Sequence, residues 1–348
     1  MYSKKELLDY THGNNALIIS PSNTYYIAEY ESSFCYILVT EDKDYFLTDS
    51  RYVTEAREHI PNMEVIECTG YNAYEIMRNL ATTKTIYFDE DIMLSEYNDL
   101  QRELAEFELS PLGSIILEMR AIKSDREIEC IIRAQNIAEQ AFEKLLLDVK
   151  EDVTEQDLVA NLEYYMKRLG GEVLSFDTIV AFGTNGDTPH AHPGNRKLKS
   201  GDFVTIDFGT TINGYHGDMT RTFAFGKPTD EMKRVYNIVR DAQRMAIDEA
   251  MAGKRCDYID SIARNYIRDN GYGEYFGHGL GHSVGIEIHE DPRFSPSCDY
   301  VLRENNVITV EPGIYIPKKF GIRIEDIIII KDNKQIDINN LTRELIIL

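Results

Sequence analysis

Residues 203–223 of this 348-residue chain read FVTIDFGTTINGYHGDMTRTF. The apolar run at the start is typical of a buried strand, and Asn213-Gly214 has the composition of a tight hairpin turn. Two strands joined in this way bring Asp207 and Asp218 close together. Because buried carboxylates are costly without a cation between them, the hairpin predicts a cation site. The alternative is that Asp207 is a strand-end acid in solvent and Asp218 is a turn acid.

A second segment combines glycine with histidine, and reads GHGLGH at 277–282 and EIHE at 287–290. It places His278, His282 and His289 within twelve residues. Histidine is the commonest metal ligand and general acid or base, and the flanking glycines let the backbone approach closely at His282. A glycine-rich surface loop with incidental histidines explains this arrangement less well.

Two glutamates in apolar strands add to the set. The run VITVEPG ends a strand at Glu311, and alternation in IRIEDI puts Arg323 and Glu325 on one face of a strand. A lone glutamate in a strand usually faces solvent, but four carboxylates with one imidazole suit two divalent ions such as Mn²⁺, Co²⁺, Fe²⁺ or Zn²⁺. The predicted metal ligands are Asp207, Asp218, His282, Glu311 and Glu325.

The pattern of elements predicts two domains, at residues 1–120 and 121–348. The first reads as an α/β domain, with short apolar strands between helices. Its predicted strands are Ala16–Ile19, Cys35–Val39, Asp44–Thr48 and Thr85–Asp89. Its predicted helices are Arg51–Glu58, Ala73–Leu80 and Ser95–Phe107, before a connector at Ser110–Ser114.

The second domain repeats one order of elements, in which two helices precede antiparallel strands. The first helix begins at the capping box Ser124–Glu127, and the next begins at Thr154 and stops at Gly170-Gly171. Because the order occurs twice, we expect an α+β domain with two similar halves. The predicted strands are Thr178–Ala181, Phe203–Phe208, Met219–Phe225, Val284–His289, Val307–Glu311 and Gly321–Ile330. The second pair of helices is predicted at Asp230–Met251 and Asp257–Asn270.

Composition excludes several classes of protein. Acidic residues outnumber basic ones by 59 to 37, a net charge of −22, which disfavours nucleic acid and anionic membranes as partners. The sequence contains neither an apolar run long enough to span a membrane nor a signal-peptide core, so we expect a cytoplasmic protein. The five scattered cysteines are expected to be reduced structural thiols, with a cysteine nucleophile as the weaker alternative.

In order and spacing, the five predicted ligands resemble those of the pita-bread metallopeptidases. This family includes Xaa-Pro dipeptidase (prolidase), aminopeptidase P and methionine aminopeptidase. The resemblance extends to Pro189-His190, Thr220–Thr222 and Glu311–Gly313. Residues 1–120 resemble the creatinase-type N-terminal domain, which methionine aminopeptidases generally lack. The resemblance implies an α/β N-terminal domain and an α+β pita-bread catalytic domain with two pseudo-symmetric halves.

The resemblance also implies a site with two divalent ions per subunit, with Mn²⁺ expected first and Co²⁺, Zn²⁺ or Fe²⁺ as alternatives. Asp207 would chelate one ion through both oxygens, and Asp218 and Glu325 would bridge the two ions. His282 and Glu311 would complete the second ion. A hydroxide between the ions would be the nucleophile.

The remaining polar residues receive roles from the same resemblance. His289 would stabilise the tetrahedral intermediate, and His190 would lie near the leaving group or the substrate amine. Glu311 would carry a proton to the leaving nitrogen. His278 would line the proline pocket, and Arg323 would orient Glu325 or its neighbours. His192 and His216 receive no role.

The expected activity is hydrolysis of the Xaa-Pro bond in dipeptides or short peptides, by a homodimer. A dipeptidase and an aminopeptidase P differ in the groups that they tolerate after proline, and the sequence does not decide between them. A metalloaminopeptidase of broader specificity is an alternative. A non-catalytic pita-bread binding protein or a creatinase-like enzyme that works without metal fits less well, because all five ligands are present.

Overall fold

The computed structural model describes residues 2–348. The chain divides after Arg120 into two compact units. None of the helices in the described chain combines the length and the hydropathy needed to cross a bilayer.

The first unit is built on a six-stranded mixed sheet in the order β4-β3-β2-β1-β5-β6. Strand β1 pairs parallel with β5 and antiparallel with β2. The sheet strands are β1 (Asn15–Ile18), β2 (Cys35–Val39), β3 (Asp44–Thr48), β4 (Glu64–Glu67), β5 (Thr85–Phe88) and β6 (Glu108–Pro111). The helices are α1 (Lys4–Tyr10), α2 (Pro21–Ala28), α3 (Val53–His59), α4 (Ala73–Leu80), α5 (Leu94–Glu103) and α6 (Ile115–Ala121), whose last residue belongs to the second unit.

The core of this unit lies between the sheet and its helices. Leu17, Leu38 and Leu47 of the central strands pack with Met77 of α4 and Leu100 of α5, and all five are fully buried. The α/β class predicted for this region is confirmed. Strand β6 was not predicted from the sequence, because it ends in Pro111 and proline has no N–H to donate to a neighbouring strand. The strand tolerates this proline because β6 lies at the edge of the sheet.

The second unit contains four long helices and two principal antiparallel sheets. The helices are α7 (Asp125–Leu145), α8 (Glu155–Arg168), α9 (Asp230–Glu249) and α10 (Cys256–Asp269). The strands of the first half are β7 (Ile179–Phe182), β8 (Phe203–Phe208), β9 (Thr211–Ile212), β10 (Tyr215–His216) and β11 (Met219–Ala224). The strands of the second half are β12 (Gly281–Ser283), β13 (Glu290–Phe294), β14 (Val307–Val310), β15 (Gly313–Ile316), β16 (Phe320–Arg323), β17 (Asp326–Lys331) and β18 (Lys334–Asp337).

Each half of this unit has its own helix-on-sheet core. In the first half, Phe142 of α7 and Leu158 of α8 pack on Val204 and Phe223 of the sheet β11-β8-β7. In the second half, helices α9 and α10 pack on the sheet β13-β12-β14-β17-β18, with Ile308 and Ile328 in the core. The expected two-half architecture is therefore present.

The hairpin at residues 203–223 forms as predicted. Strands β8 and β11 pair antiparallel, with Thr220 opposite Asp207. The chain reverses at Asn213 (φ 48°) and Gly214 (φ 70°), and positive φ at both central residues is the geometry that an Asn-Gly turn adopts.

Two of the strand predictions in the second half are wrong in detail. Residues 284–289 form a loop, because the Glu287 N–H bonds the Glu290 carboxylate and the Gly285 N–H bonds the Glu287 carbonyl. The predicted strand Gly321–Ile330 is two strands in different sheets. The chain changes sheet at Glu325, whose N–H donates to the carbonyl of Thr220 in the other half.

Candidate metal centre

A cavity of about 840 Å³ opens in the second unit, and every candidate site residue predicted from the sequence lines it. These nine residues come from five separate segments of the chain. The lining includes His190, Asp207, Asp218, His278, His282, His289, Glu311, Arg323 and Glu325.

Three of the predicted ligands converge closely. One side-chain oxygen or nitrogen from each of Asp218, His282 and Glu325 lies within 4.8 Å of the other two. Nε2 of His282 lies 3.6 Å from Oδ2 of Asp218 and 3.4 Å from Oε1 of Glu311. Asp218 stands just before β11, whereas the other three come from the second half, so the cluster lies where the two halves meet.

Asp207, in β8, is held by Arg323 rather than by the cluster. Nη2 of Arg323 donates to its Oδ2 at 2.5 Å. Its second oxygen, Oδ1, is buried and has no hydrogen-bond partner in the described chain. A buried carboxylate oxygen without a partner is unfavourable, so Oδ1 is a suitable donor to a cation.

The carboxylates repel one another in the absence of a cation. Burial, followed by the charges of Asp207 and Glu311, raises the pKa of Asp218 well above its ordinary value. Burial and the charge of Asp218 do the same to the pKa of Glu325. Burial raises the pKa of Glu311 to about 8. The protein therefore concentrates negative charge in a place where water cannot stabilise it.

The buried histidines are neutral. Burial and the neighbouring His289 lower the pKa of His282 to about 3. Nδ1 of His282 lies 3.1 Å from the Ser283 carbonyl oxygen, which can only accept, so Nδ1 carries the proton and Nε2 offers its lone pair to the carboxylate side. Burial lowers the pKa of His278 to about 4.

These observations fit a resident divalent metal. The donors are carboxylate oxygens and one neutral imidazole nitrogen, and one carboxylate oxygen is buried without a partner. Cations would stabilise the ionised forms of the three acids whose pKa values are raised by burial and, to a lesser extent, by mutual repulsion. Oxygen-rich sites with one imidazole suit ions such as Mn²⁺ better than they suit soft metals.

Arg323 connects the cluster to its surroundings. Its side chain is 4% exposed, and its Nη1 donates to the Tyr315 hydroxyl at 2.6 Å and to the Pro189 carbonyl. Its Nε donates to Oγ1 of Thr220, which in turn donates to Oε2 of Glu325 at 2.8 Å. Arg323 thus contacts Asp207 directly and Glu325 through Thr220. Tyr315 was not predicted as a site residue. Its position in the strand that directly follows Glu311-Pro312-Gly313 could have indicated that it lies near the predicted ligand Glu311.

A buried acid, Glu155, holds the loop that carries His190 through hydrogen bonds, and the sequence did not point to it. Glu155, the first residue of α8, is 1% exposed and accepts from the backbone N–H of Phe182 and of Gly194. Asn185 donates to the same carboxylate and to the His192 carbonyl. In the sequence Glu155 appears only as an ordinary first-turn acid of a helix.

Arg293 is a further cavity residue without a predicted role. Among the described lining residues, Arg293 and Arg323 are the two with a permanent positive charge. Arg323 is buried against Asp207, whereas the Arg293 side chain is 53% exposed and, within residues 2–348, forms an ion pair only with the exposed Asp291, with Nε 3.5 Å from Oδ1. Arg293 is therefore the cation that a substrate anion can reach.

Comparison with known proteins places this geometry in a family. A family profile described as metallopeptidase family M24 matches residues 129–332, and a creatinase/prolidase N-terminal domain profile matches residues 6–122. The Xaa-Pro dipeptidase of Pyrococcus horikoshii is 37% identical over 343 residues, which cover 98% of this chain and 97% of that relative.

Solved structures align along the whole chain. An Xaa-Pro dipeptidase from Bacillus anthracis has a TM-score of 0.96 and 34% identity, with 99% of each chain covered. An X-Pro aminopeptidase from Thermotoga maritima MSB8 has a TM-score of 0.92 and 35% identity, with 100% of each chain covered. The predicted resemblance, the pita-bread fold class and a metal-dependent hydrolase are confirmed. The protein belongs to metallopeptidase family M24 and carries a creatinase/prolidase N-terminal domain ahead of its catalytic domain.

Proposed function

We propose that this protein is an Xaa-Pro dipeptidase that works with two divalent metal ions. The observation that carries the proposal is the convergence of Asp218, His282 and Glu325, whose ligand atoms lie within 4.8 Å of one another in a cavity that also contains Asp207 and Glu311. Relatives of nearly equal length are Xaa-Pro dipeptidases.

The metal would be held by the five predicted ligands. Asp207 would hold one ion through its unpartnered Oδ1, rather than through both oxygens as the resemblance implies, because Oδ2 accepts from Arg323. Asp218 and Glu325 would be ligands shared by the two ions. His282 and Glu311 would complete the second, through the Nε2 that already faces the carboxylates. When bound, the ions supply Lewis-acid activation of the peptide carbonyl and a water with a lowered pKa. We retain Mn²⁺ as the first candidate, because the donor set is mostly carboxylate.

The other cavity residues would act on the peptide itself. Partial burial and the charge of Arg293 lower the pKa of His289, so its ring is neutral near pH 7 and can donate to the scissile carbonyl oxygen as charge develops there. Glu311 would carry a proton to the leaving imide nitrogen. His190, which lines the cavity, would lie beside the leaving group or the substrate amine.

Selectivity for proline follows from the walls of the cavity. An imide nitrogen has no N–H to donate, so a site for this bond needs shape complementarity to the ring instead. The His278 ring packs edge-on against Phe276 at 5.0 Å and lies 5.7 Å from the Tyr315 ring. With its lowered pKa it is uncharged, and it offers a flat wall to the proline ring.

The chain length of the substrate separates two candidate activities. Arg293 favours a dipeptidase, because a free proline carboxylate would give its exposed guanidinium a charge-assisted partner. Similarity to the Thermotoga maritima X-Pro aminopeptidase favours the second candidate, in which the space beyond proline stays open. A broader metalloaminopeptidase would also cleave substrates without proline.

The test uses metal-stripped protein reloaded with Mn²⁺, Co²⁺ or Zn²⁺. Release of alanine is followed from Ala-Pro, Ala-Pro-Ala and Ala-Ala. A dipeptidase cleaves Ala-Pro and leaves Ala-Pro-Ala intact; cleavage of the tripeptide identifies an aminopeptidase. Comparable cleavage of Ala-Ala identifies a broader enzyme. The Xaa-Pro proposal fails if neither proline peptide is cleaved with any metal.

A homodimer and a cytoplasmic location complete the proposal. Family resemblance supports the dimer, because N-terminal domains of such enzymes often close the partner's site; light scattering of the purified protein tests it. All five cysteines are free in the structure, which supports a reducing compartment.

A further inference from the structure

A lysine with no role in the proposed chemistry is completely buried beside the cavity. The Lys123 side chain is 1% exposed, and its Nζ lies 3.0 Å from Oε2 of Glu290, whose side chain is 5% exposed. Nζ also donates to Oγ of Ser283 at 2.9 Å. Burying both charges of an ion pair rarely adds net stability over an apolar pair of similar size, so this arrangement calls for another explanation.

The partner of Lys123 holds the loop that presents His289. While Oε2 of Glu290 faces the lysine, its Oε1 accepts from the Glu287 N–H at 3.1 Å. The Glu287 carbonyl accepts from the Gly285 N–H, and the Gly285 carbonyl accepts from the His216 N–H. A Cβ atom on Gly285 would lie 2.5 Å from the Glu290 carboxylate, so the loop packs its backbone directly onto this group.

Lys123 also hydrogen-bonds to β12, the strand that carries the predicted metal ligand His282. Ser283 follows His282 in β12 and pairs with Glu290 across a register shift in the strand pair. Its hydroxyl donates to the Val307 carbonyl of β14 while it accepts from Lys123. Nζ of Lys123 therefore binds both strands at the point where they separate around the loop 284–289. At that point the His289 ring stands 4.4 Å from the His282 ring, at 74°.

We propose that Lys123 is a positioning residue that fixes His289 against the metal ligand His282 by clamping Glu290 to Ser283. The proposal rests on the proposed function only for its kinetic consequence. The structural part of the proposal concerns only the conformation of the loop 284–289. Without the lysine, the Glu290 carboxylate loses its buried cation and its link to Ser283, so it holds the Glu287 N–H less firmly and the loop loosens while the five metal ligands keep their places.

Two variants separate positioning from stability. Lys123→Met removes the cation and leaves Glu290 buried. The double variant Lys123→Met/Glu290→Met removes both charges and fills their space with apolar side chains, which restores stability in such pairs. It still lacks the Glu290 carboxylate that accepts from the Glu287 N–H. The matched control is Lys331→Met, which removes an exposed lysine paired with Asp125 at 2.8 Å in the same unit.

The readouts are kcat and KM for Ala-Pro, bound metal per chain, thermal midpoint, and amide hydrogen exchange of residues 284–289. We expect the double variant to unfold near the wild-type temperature and to bind the full metal complement. Its kcat should fall about 10- to 100-fold with KM within about threefold, the pattern of a lost interaction that acts in the transition state. Exchange in the loop should accelerate in both clamp variants and stay unchanged in Lys331→Met.

Two results would overturn the clamp. One is recovery of kcat together with stability in the double variant, which would make the pair purely structural. The other is unchanged loop exchange in both variants. If the wild-type enzyme does not cleave Xaa-Pro substrates, the proposed function fails, and loop exchange in Lys123→Met, compared with Lys331→Met, still decides the role of Lys123.

Discussion

Arg323 donates from Nη2 to Oδ2 of Asp207 over 2.5 Å, and this bond joins the second half of the catalytic domain to the first at the candidate metal centre. It fixes one oxygen of the carboxylate and leaves the other, Oδ1, without a partner in the described chain. A ligand held in this way is oriented before a metal arrives.

Loss of Arg323 should therefore lower the activity more than it lowers the stability of the fold. We expect Arg323→Met to lower kcat/KM about 10- to 100-fold at saturating metal, a usual cost of removing a residue that orients ligands. Arg323→Lys should not rescue it, since one ammonium cannot reach Asp207, Tyr315, Pro189 and Thr220 together. Steady-state kinetics of both variants decide this. Arg268→Met, which removes an exposed ion pair with Asp269, is the control and should match the wild type. Full activity of Arg323→Lys would contradict the prediction.

Asp218→Asn tests the cluster with an isosteric change. The variant should bind less metal and lose nearly all turnover, because an amide bridges cations poorly. Without metal it should unfold at or above the wild-type temperature, because the raised pKa of Asp218 shows that its charge is unfavourable there.

Metal content, turnover and thermal unfolding in chelator measure these three effects. Asp152→Asn is a suitable control: its side chain is 74% exposed, and asparagine tolerates its positive φ of 68°. Lower stability of metal-free Asp218→Asn would show that the carboxylate has a favourable partner in the folded protein.

The stability of the metal-free protein should fall as pH rises. Burial raises the pKa of Glu311 from 4.5 to about 8, and the pKa values of Asp218 and Glu325 rise also. Between pH 4.5 and 8 the folded state therefore keeps protons that the unfolded chain has released, so the free energy of unfolding decreases with pH. The loss should be on the order of 2–5 kcal/mol.

Denaturant titrations at several pH values in chelator measure this loss. Divalent metal should cancel it, because bound cations stabilise the ionised carboxylates. A metal-free protein whose stability is constant or rises across this window would show that the acids are not clustered in solution.

Arg293 should discriminate substrates by their carboxylate. For Ala-Pro, Arg293→Met should raise KM about 10- to 100-fold, the cost of a charge-assisted hydrogen bond, with kcat less affected. For Ala-Pro amide, which has no carboxylate, the variant and the wild type should have the same KM. An equal loss for both substrates would mean that Arg293 acts on His289 or on the loop rather than on the substrate.

Features that depend on neighbouring residues, such as turns and helix caps, could be predicted from the sequence. The Asn213-Gly214 turn requires positive φ at both residues, and the Ser124–Glu127 capping box forms as expected. The five predicted metal ligands could be assembled because each is an acid or histidine in an apolar or glycine-rich frame, whereas the roles of the other four candidate residues came from the family resemblance. Contacts between distant segments were not readable. Glu155, Lys123 and Arg293 look like ordinary charged residues until the fold shows what surrounds them.

The alternation of side chains misled in two places for the same reason. VGIEIH at 284–289 alternates like a strand, but it is a loop whose backbone is bonded to Glu290. The segment 321–330 alternates from Ile322 to Glu325 and then continues into four consecutive isoleucines, yet the chain crosses between sheets at Glu325. Alternation reports which side chains point inward; it does not report which strand supplies the hydrogen bonds.

The position of Lys123 shows that the second unit depends on residues outside the segment that the catalytic profile matches. Lys123 lies between residue 122, where the N-terminal profile ends, and residue 129, where the catalytic profile begins, and Arg343 lies beyond the end of the catalytic match at 332. A fragment cut to the matched region would strip Glu290 of its buried lysine and Asp326 of one of its two arginines. The compact second unit is thus larger than the stretch that the catalytic profile matches, and a fragment meant to keep these ion pairs should span 121–348.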